Sequence, residues 1–385
     1  MFTFTAQDSA WMAQALRLAE RGLYTTSPNP RVGCVLVRDG DVVGEGWHER
    51  AGEPHAEVLA LRAAGEAARG ATAYVTLEPC SYHGRTPPCA DALIAAGIAR
   101  VTVAVQDPNP RVAAQGIAKL RAAGIEVECG LMEAAARELN IGFFARMTCG
   151  TAWLRSKIAM SLDGRTALAN GVSQWITGDA ARQDVQHWRA RSCAVLTSIN
   201  TVLADDARLN VREIETARQP LRVVLDSQLR IPLNARILNG GCERVVAEPP
   251  GAPRRPPCGG NVLIYTAVRN AEKSEALEKA GASVCMLPDS KGQVDLAGML
   301  GDLAQRGCNE VLVEAGSTLN GALLRAGLVD ELLLYLAPQL LGDAARGMAQ
   351  LGELTCLDQR VDLKWQDVRQ IGNDLRIIVK VEERL

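Results

Sequence analysis

Short apolar runs alternate with segments of helical periodicity along most of the chain. In the first part, the strand-like runs lie at 32–37, 41–46, 73–77 and 101–105, and the helix-like segments lie at 8–21, 55–67 and 91–95. Another helix and strand precede Cys129, and the segment 134–144 closes this part. The Asp39-Gly40 pair is a hairpin signal between the first two strands, and Asp8 is placed to cap the first helix. This alternation of strands and helices predicts α/β architecture.

The pattern breaks at 147–151 and then begins again, which indicates a second domain. Its strand-like runs lie at 153–159, 194–197, 221–225, 262–265, 311–313 and 331–336, and its helix-like segments include 180–189 and 296–305. A chain of 385 residues is long enough for two or three domains of roughly 100–200 residues. We predict two domains, at 1–147 and 148–385. The segment 249–260, with five prolines and three glycines in twelve residues, is predicted to be an exposed loop.

Composition narrows the classes of protein that fit this pattern. Hydrophobic residues make up 48% and charged residues 22%, as in ordinary globular proteins. The formal net charge of −2 leaves no broad basic field for nucleic acid or an anionic membrane. We expect a cytoplasmic protein, because the N-terminus has no basic leader and no apolar run approaches the ~20 residues that span a bilayer. Eleven cysteines, an odd number, argue against a disulfide scaffold.

Three potential metal ligands occur in the first domain with a carboxylate beside them. His55 opens a helix-like segment, Cys80 follows a proline, and Cys89 comes nine residues after Cys80. One imidazole and two thiolates leave the fourth position of a tetrahedral zinc site open for water, as in catalytic zinc sites. Zinc lowers the pKa of that water to about 7 and so produces hydroxide at neutral pH. Glu57, two residues after His55, is predicted to shuttle protons without binding the metal.

Two other interpretations of these residues stay open. A closed structural zinc site with His83 as fourth ligand has no need of a nearby carboxylate, so Glu57 favours the catalytic site. Cys80 and Cys89 also fit ordinary core thiols. The order His-x-Glu, then Pro-Cys and Cys, is recognised as the signature of zinc-dependent base deaminases, with a wider cysteine spacing than Cys-x-x-Cys.

Five segments of the first domain carry a further resemblance. They are Ser-Pro-Asn-Pro-Arg-Val-Gly at 27–33, His-Ala-Glu at 55–57, Glu-Pro-Cys at 78–80, Gly-Arg-Thr-Pro-Pro-Cys at 84–89 and Asp-Pro-Asn-Pro at 107–110. With them the chain resembles, over nearly its whole length, the bifunctional riboflavin-biosynthesis deaminase/reductase family. The resemblance implies a cytidine-deaminase-like three-layer domain with one zinc ion, followed by a dihydrofolate-reductase-like α/β domain. It implies deamination of a diaminopyrimidinone that carries a ribosylamino phosphate, and then reduction of the ribosyl group to a ribityl chain by NADPH.

The resemblance also implies roles for individual residues of the first domain. Those that contact substrate are Asn29, His48, Arg85, Asp107 and Asn109. Asparagine and aspartate bind ring donors and acceptors, and arginine pairs with phosphate. Asn29 and Asp107 also suit the turns of proline-rich loops. The two roles are compatible, because turns at strand ends often line sites.

The second domain has no Gly-x-Gly-x-x-Gly after a strand, so a Rossmann site is not expected. A strand ends in a charged turn at 157–165, and another runs into a Gly-Ser-Thr turn after Glu314, where free N–H groups suit phosphate. A capped αβ turn explains the second segment equally well.

In the second domain, too, the resemblance assigns individual positions. The substrate side comprises Lys157, Ser173, Arg189, Leu209, Arg212 and Glu314. The cofactor side comprises Ala159, Trp175, Thr177, Thr201, Asp205, Ser227 and the 316–322 turn with Gly316, Ser317, Thr318 and Leu319. Arg189 and Arg212 are expected to hold the substrate phosphate. Lys157 is either a catalytic group that assists proton transfer or one half of a plain salt bridge.

The segment assigned to the cofactor departs from the family pattern. Ser198-Ile199-Asn200 replaces a Gly-x-Gly-like turn, and alanine rather than proline follows Asp205-Asp206. Two rival functions remain: a deaminase of tRNA or free nucleosides fused to an unrelated domain, and a non-enzymatic zinc-stabilised protein. The near-neutral charge and few aromatics oppose a nucleic-acid partner. We therefore expect a small-molecule substrate, no nucleic-acid or membrane partner, and a homo-oligomer.

Overall fold

The computed structural model describes residues 4–82, 88–110, 113–239 and 262–382. The chain divides into two compact units, Met1–Thr151 and Ala152–Leu385. Three subjects of the sequence predictions lie outside the described residues: Arg85, His83 and the 249–260 segment. Among the described helices, none combines the length and the apolar character that crossing a bilayer requires.

The first unit is a five-stranded sheet between two layers of helices. Its elements are α1 (Ala6–Glu20), β1 (Gly33–Arg38), β2 (Asp41–Trp47), α2 (Ala56–Ala64), a 3₁₀ turn (Gly65–Ala68), β3 (Thr72–Val75), α3 (Cys89–Ala95), β4 (Arg100–Val103), α4 (Gln115–Ala122), β5 (Glu126–Cys129), α5 (Glu133–Leu139) and α6 (Ile141–Cys149). The strand order is β2-β1-β3-β4-β5. The β1–β2 hairpin and the β1–β3 pair are antiparallel, whereas β3, β4 and β5 run parallel.

Both faces of this sheet are buried, because apolar residues continue along its central strands without alternation. On β1, Cys34 and Leu36 pack with residues of α2, α3 and α4, while Val35 and Val37 pack with residues of α1, α5 and α6. The unit is therefore a three-layer sandwich, and the ends of its parallel strands are free to carry loops.

One local prediction for this unit, that Asp8 caps the first helix, is wrong. The N-cap of α1 is Thr5, whose Oγ1 accepts the N–H of Asp8 at 3.0 Å while the Asp8 carboxylate accepts the N–H of Thr5 at 2.8 Å. Asp8 therefore occupies the third helical position of a capping box. The closing segment at 134–144 spans parts of two helices, α5 and α6, which meet at Asn140, whose side chain bonds the backbone N–H and C=O of Arg31 at 2.8 and 2.9 Å.

The second unit is built on a nine-stranded mixed sheet. Its elements are β6 (Trp153–Ser161), β7 (Arg165–Ala167), α7 (Asp179–Arg191), β8 (Ala194–Ser198), α8 (Ile199–Asp205), β9 (Leu221–Leu225), β10 (Val262–Thr266), α9 (Ala271–Lys279), β11 (Ala282–Met286), α10 (Leu296–Gln305), β12 (Glu310–Glu314), α11 (Ser317–Arg325), β13 (Glu331–Ala337), β14 (Arg346–Gly347), a 3₁₀ turn (Leu357–Gln359), β15 (Leu363–Ile371) and β16 (Asp374–Val381). The strand order is β11-β10-β9-β8-β12-β6-β13-β16-β15, and β7 pairs with β14 separately.

Strands β11 to β13 of this order run parallel, so their carboxyl ends lie along one edge of the sheet. Strands β16 and β15 complete the sheet in antiparallel pairing. Neither strand was predicted from the sequence; for β15 the reason is that its side chains are mostly exposed and its sequence has no continuous apolar run. In open parallel sheets, ligands bind outside the carboxyl ends of the strands, and these ends carry the predicted site residues.

A buried charge cluster lies near the amino ends of the central strands. The guanidinium of Arg155, 1% exposed, pairs with the carboxylates of Glu331 and, at 3.1 Å, Glu310. Arg191 also pairs with Glu310, at 2.7 Å, and the Arg155 guanidinium lies 4.6 Å from the ring centre of Trp188. Buried charges need such partners, and this cluster joins β6, β12 and β13 to α7.

Candidate functional site

The predicted metal ligands of the first unit lie together. His55 is the residue before α2, Cys80 lies in the loop after β3, and Cys89 is the first residue of α3. The Nδ1 atom of His55 lies 3.2 Å from the Cys89 sulfur and 3.6 Å from the Cys80 sulfur, and all three ligand atoms lie within 4.8 Å of one another. One imidazole and two thiols at this spacing match the donor set of a zinc site with one open position.

The two thiols share a hydrogen bond, and this makes them unequal. The bond from Cys89, together with one from His55, lowers the pKa of Cys80 to about 4. The same hydrogen bond and burial raise the pKa of Cys89. The backbone N–H of Cys89 donates to the Cys80 sulfur at 3.3 Å, which stabilises negative charge there. Among the described residues, no fourth ligand joins this group.

Glu57 lies in the first turn of α2, beside the ligands but outside their group. Its side chain is 3% exposed and is hydrogen-bonded to the Cys89 thiol. Burial raises the pKa of Glu57 to about 7. A buried carboxyl group next to an open ligand position is suited to proton transfer.

Two predicted substrate residues, Asn29 and His48, form a pair. His48 is buried, and its Nδ1 lies 3.1 Å from the carbonyl oxygen of Pro54, so Nδ1 carries the proton in this bond. Its Nε2 then accepts a hydrogen bond from the Asn29 side-chain nitrogen at 3.0 Å. The His48 ring also contacts the ligand His55 edge to face, with ring centres 5.2 Å apart. This bonding orients the Asn29 amide close to the metal ligands.

Asp107 and Asn109 lie in the loop after β4. The Asp107 carboxylate accepts the backbone N–H of Asn109 at 2.8 Å, as in an Asx turn. Burial raises the pKa of Asp107 to about 6. The predicted turn is thus present, and the second carboxylate oxygen of Asp107 makes no hydrogen bond to the described residues.

Glu78, the first residue of the Glu-Pro-Cys segment, has no role in the sequence predictions. The Glu78 carboxylate is buried and accepts four backbone N–H groups. Two of the donors, Asp107 and Ala114, flank the loop just described. A glutamate two residues before a predicted ligand was the available signal, but its partners are set by tertiary structure.

In the second unit, the predicted substrate residues Lys157, Arg189 and Glu314 come together at the carboxyl edge of the sheet. Lys157 and Glu314 are register partners on the adjacent strands β6 and β12, and their side chains form an ion pair at 3.8 Å. Arg189 of α7 binds the same carboxylate with two nitrogens, at 2.5 and 2.9 Å. Burial would raise the pKa of Glu314, but the charges of Arg189 and Lys157 lower it to about 2.

The two arginines predicted to hold the substrate phosphate differ in their surroundings. Arg189 is buried and already bonded to Glu314, and it also donates to the carbonyl oxygen of Asn210 at 3.1 Å. The Arg212 side chain is exposed, and its ion pair among the described residues is a 3.5 Å contact with the exposed Glu213. Leu209, on the same loop, adopts a positive φ of 54°. The geometry therefore leaves Arg212 more available to an incoming anion than Arg189.

The predicted cofactor residues lie at the ends of several neighbouring strands and in one loop. Ala159 is on β6, Thr201 and Asp205 are on α8 after β8, Ser227 follows β9, and Gly316, Ser317, Thr318 and Leu319 begin α11 after β12. Trp175 and Thr177 belong to the loop between β7 and α7, together with the predicted substrate residue Ser173. Because parallel strands share a carboxyl edge, these positions lie along the same side of the sheet.

The β7–α7 loop is anchored at its end by residues that sequence reasoning did not single out. The buried Asp374 accepts the backbone N–H of Gly178 at 2.7 Å, and Gln339 donates to the carbonyl oxygen of Ile176 at 2.8 Å. Trp175 is 66% exposed and lies against the Arg182 guanidinium, 4.4 Å from its ring centre. These two hydrogen bonds hold the end of the loop in place, whereas the side chain of Trp175 is exposed.

The atypical segment after β8 has local partners of its own. Asn200 accepts a hydrogen bond from Arg230 at 2.9 Å. Asp206 ends α8 in the left-handed conformation, with φ 43°, and accepts the backbone N–H of Arg236 at 2.8 Å. The departure from the family pattern is therefore accommodated by side-chain bonds within the second unit.

Comparisons with known proteins match both units. Residues 5–105 match the model of the cytidine and deoxycytidylate deaminase zinc-binding region, and residues 152–377 match that of the RibD C-terminal domain. These matches confirm the fold class predicted from the sequence, with a cytidine-deaminase-like domain before a reductase domain of the dihydrofolate-reductase type. They also confirm the predicted cofactors, zinc and NADPH.

Similar proteins extend over nearly the whole chain. The riboflavin biosynthesis protein RibD of Escherichia coli is 50% identical over 96% of this chain and 98% of its own length. The structure of Acinetobacter baumannii RibD superposes with a TM-score of 0.87 at 47% identity, covering 98% of this chain and 99% of that one. The deaminase/reductase of Thermotoga maritima superposes with a TM-score of 0.83 at 31% identity, covering 97% and 99%. The chain belongs to the RibD family and is a bifunctional deaminase and reductase of riboflavin biosynthesis.

Proposed function

We propose that the two reactions are divided between the two units and that the residues assembled above perform them. The substrate is the diaminopyrimidinone ribosylamino phosphate, which the first unit deaminates and the second unit reduces to the ribityl product. The observation that supports this division is the His55, Cys80 and Cys89 cluster, with Glu57 buried beside it. We place the boundary between the two domains near residue 147, where the sequence pattern breaks. The last helix of the first unit, α6, continues to Cys149.

In the first unit, His55, Cys80 and Cys89 are the residues that hold zinc. When bound, zinc supplies a Lewis acid that makes water nucleophilic at neutral pH. Glu57 takes the proton that water gives up and delivers it to the amino group, which departs as ammonia. Its burial excludes bulk water from this transfer. Asn29, oriented by His48, and the free oxygen of Asp107 bind the polar edge of the pyrimidine ring.

In the second unit, the reduction opens the ribosyl ring, so the ring oxygen needs a proton as hydride reaches the carbon bonded to nitrogen. NADPH supplies the hydride when it is bound. Lys157 of β6 is held by Glu314 at the end of β12 and donates that proton. Arg189 fixes the position of the Glu314 carboxylate, and Arg212 binds the substrate phosphate.

The division is tested by supplying the pyrimidine substrate to the full chain, with and without NADPH, while ammonia and nicotinamide absorbance are followed. Without NADPH we expect ammonia release to continue, and with NADPH we expect absorbance to fall after ammonia appears. Loss of nicotinamide absorbance before any ammonia is released would contradict the proposed order.

Replacing Cys80 by serine is expected to weaken zinc binding more than about 100-fold. Even replacing a residue that only hydrogen-bonds to a metal ligand lowers metal affinity roughly 10–100-fold. Deamination is expected to fall with the zinc content, which elemental analysis measures. Cys129→Ser is the matched control, since Cys129 is an exposed thiol of the same unit. Full zinc occupancy in C80S would argue against Cys80 as a ligand.

Replacing Asp205 by alanine is expected to raise the KM for NADPH about tenfold, the effect of losing one hydrogen bond from a charged group. Deamination by the same chain is expected to stay unchanged. The control is Asp358→Ala, an exposed aspartate elsewhere in the second unit. A parallel fall in both activities would mean that the two sites are not separate.

Two further expectations stay predictions: the cytoplasmic location and the homo-oligomeric state. Neither bears on the residues proposed above. Sedimentation of the purified chain measures the second directly.

A further inference from the structure

A buried carboxylate joins the metal-ligand segment to the loop that carries Asp107. Glu78 is 3% exposed and lies two residues before Cys80. Its Oε2 accepts the backbone N–H groups of Asp107 at 3.2 Å and Ala114 at 3.0 Å. Its Oε1 accepts those of Gly116 at 2.9 Å and Ile117 at 3.2 Å. Each oxygen thus holds two donors, and the four donors come from both sides of one loop.

The backbone is closely packed around the hydrogen bonds of Glu78. A Cβ on Gly116 would lie 1.9 Å from the Pro79 carbonyl oxygen, so the start of α4 touches the residue just before Cys80. Ala114 has a φ of 63°, in the left-handed region that residues with a Cβ atom rarely adopt. Its N–H is one of the four donors. A strained residue persists where its surroundings hold it, and such residues cluster at functional sites.

We propose that Glu78 is a positioning residue for deamination, which sets Asp107 at a fixed place relative to Cys80. The reason is geometric. The backbone of Glu78 belongs to the segment that carries Cys80, and its carboxylate is hydrogen-bonded to the loop that carries Asp107. The inference rests on the substrate contact proposed for Asp107. In this proposal Glu78 acts through the Asp107 loop, by the four backbone N–H groups that it accepts.

The test is Glu78→Gln in the full chain loaded with zinc. Glutamine has nearly the same shape, but its NH₂ group cannot accept hydrogen bonds from the two N–H donors that it would face. The Asp107 loop or the start of α4 is therefore expected to shift. A displacement of about 1 Å costs roughly 100-fold in rate. We therefore expect kcat/KM for ammonia release to fall about 100-fold. The zinc content and the reduction of the deaminated intermediate by the second unit are expected to stay as in the unaltered chain.

Glu128→Gln is the matched control. Glu128 is a buried glutamate of the same unit, 6% exposed, and it pairs with Arg100 instead of with the site loop. We expect E128Q to retain the kcat/KM of the unaltered chain even if it melts at a lower temperature. An equal fall in E128Q and E78Q would mean that general destabilisation causes the effect, and the proposal would be overturned.

A double-mutant cycle with Asp107→Asn separates positioning from structure. If Glu78 acts through Asp107, adding E78Q to D107N costs little more than D107N alone. Additive losses, or an E78Q variant with unaltered kcat/KM, would overturn the proposal. If E78Q loses zinc or unfolds, Glu78→Asp replaces it in the same cycle, because it keeps the charge but retracts the carboxylate. An unaltered chain that released no ammonia would instead count against the function proposed for the first unit.

Discussion

Glu57→Gln is expected to reduce ammonia release at least 1,000-fold while zinc stays bound. Proton transfer by a positioned side chain contributes roughly 100- to 10,000-fold. Glutamine keeps the size of the side chain but cannot take up and release a proton. Glu57 is buried beside the Cys89 thiol, so solvent has little access to replace it. The measurements are ammonia release and zinc content in the same preparation, with reduction by the second unit as an internal standard.

The control for this variant is Glu66→Gln, an exposed glutamate of the same unit that follows α2. It is expected to behave as the unaltered chain. Two outcomes would contradict the proton-transfer role of Glu57. Near-normal turnover in E57Q would show that no proton passes through this group, and loss of zinc would show that it acts as a ligand.

Glu314→Gln is expected to abolish reduction and to destabilise the second unit. The Glu314 carboxylate is the common partner of Lys157 and Arg189, and both of these cations are largely buried. Removing one partner of a buried ion pair costs about 3–5 kcal/mol, because the other charge stays buried without compensation. Without the carboxylate, Lys157 also loses the group that holds it beside the end of β12. We expect reduction to fall at least 100-fold and deamination to persist.

The stability difference between E314Q and the unaltered chain is expected to depend on pH. The pKa of Glu314 is lowered to about 2 in the folded state, so its stabilising effect is complete above the ordinary glutamate value, about 4.3. The stabilising effect of the Glu314 carboxylate is lost as the pH falls from about 4.3 toward 2. Denaturant unfolding at pH 7 and at pH 4 measures the change, with Glu275→Gln as control.

Glu275 forms an exposed ion pair with Lys279, at 2.7 Å, on α9. Surface pairs of this kind contribute about 0–1 kcal/mol. A loss in E314Q no larger than in E275Q would contradict the buried role of Glu314. A difference that grew as the pH fell would contradict the sign of its pKa shift.

The parts of the fold that were predictable are those with strong local patterns. Strands such as β10 and β13 of the second unit are nearly continuous apolar runs, since both faces of the sheet are buried there. The Asp39-Gly40 turn produced the expected β1–β2 hairpin. Strand β15 was missed because its side chains face solvent, and the helix break at Asn140 was missed because it depends on a bond to Arg31, far away in the sequence.

The chemistry of the first unit follows from residue types, and these can be identified without a structure. Only a few side chains bind zinc, so a histidine and two cysteines, with Glu57 two positions from the histidine, are specific in themselves. The partners of charged groups are not local in this way. Arg189 and Glu314 are 125 residues apart, and the order of strands decides that they meet. Glu78 likewise acquires its four donors only when β3, the loop after β4 and α4 come together, because backbone N–H groups leave no signature in the sequence.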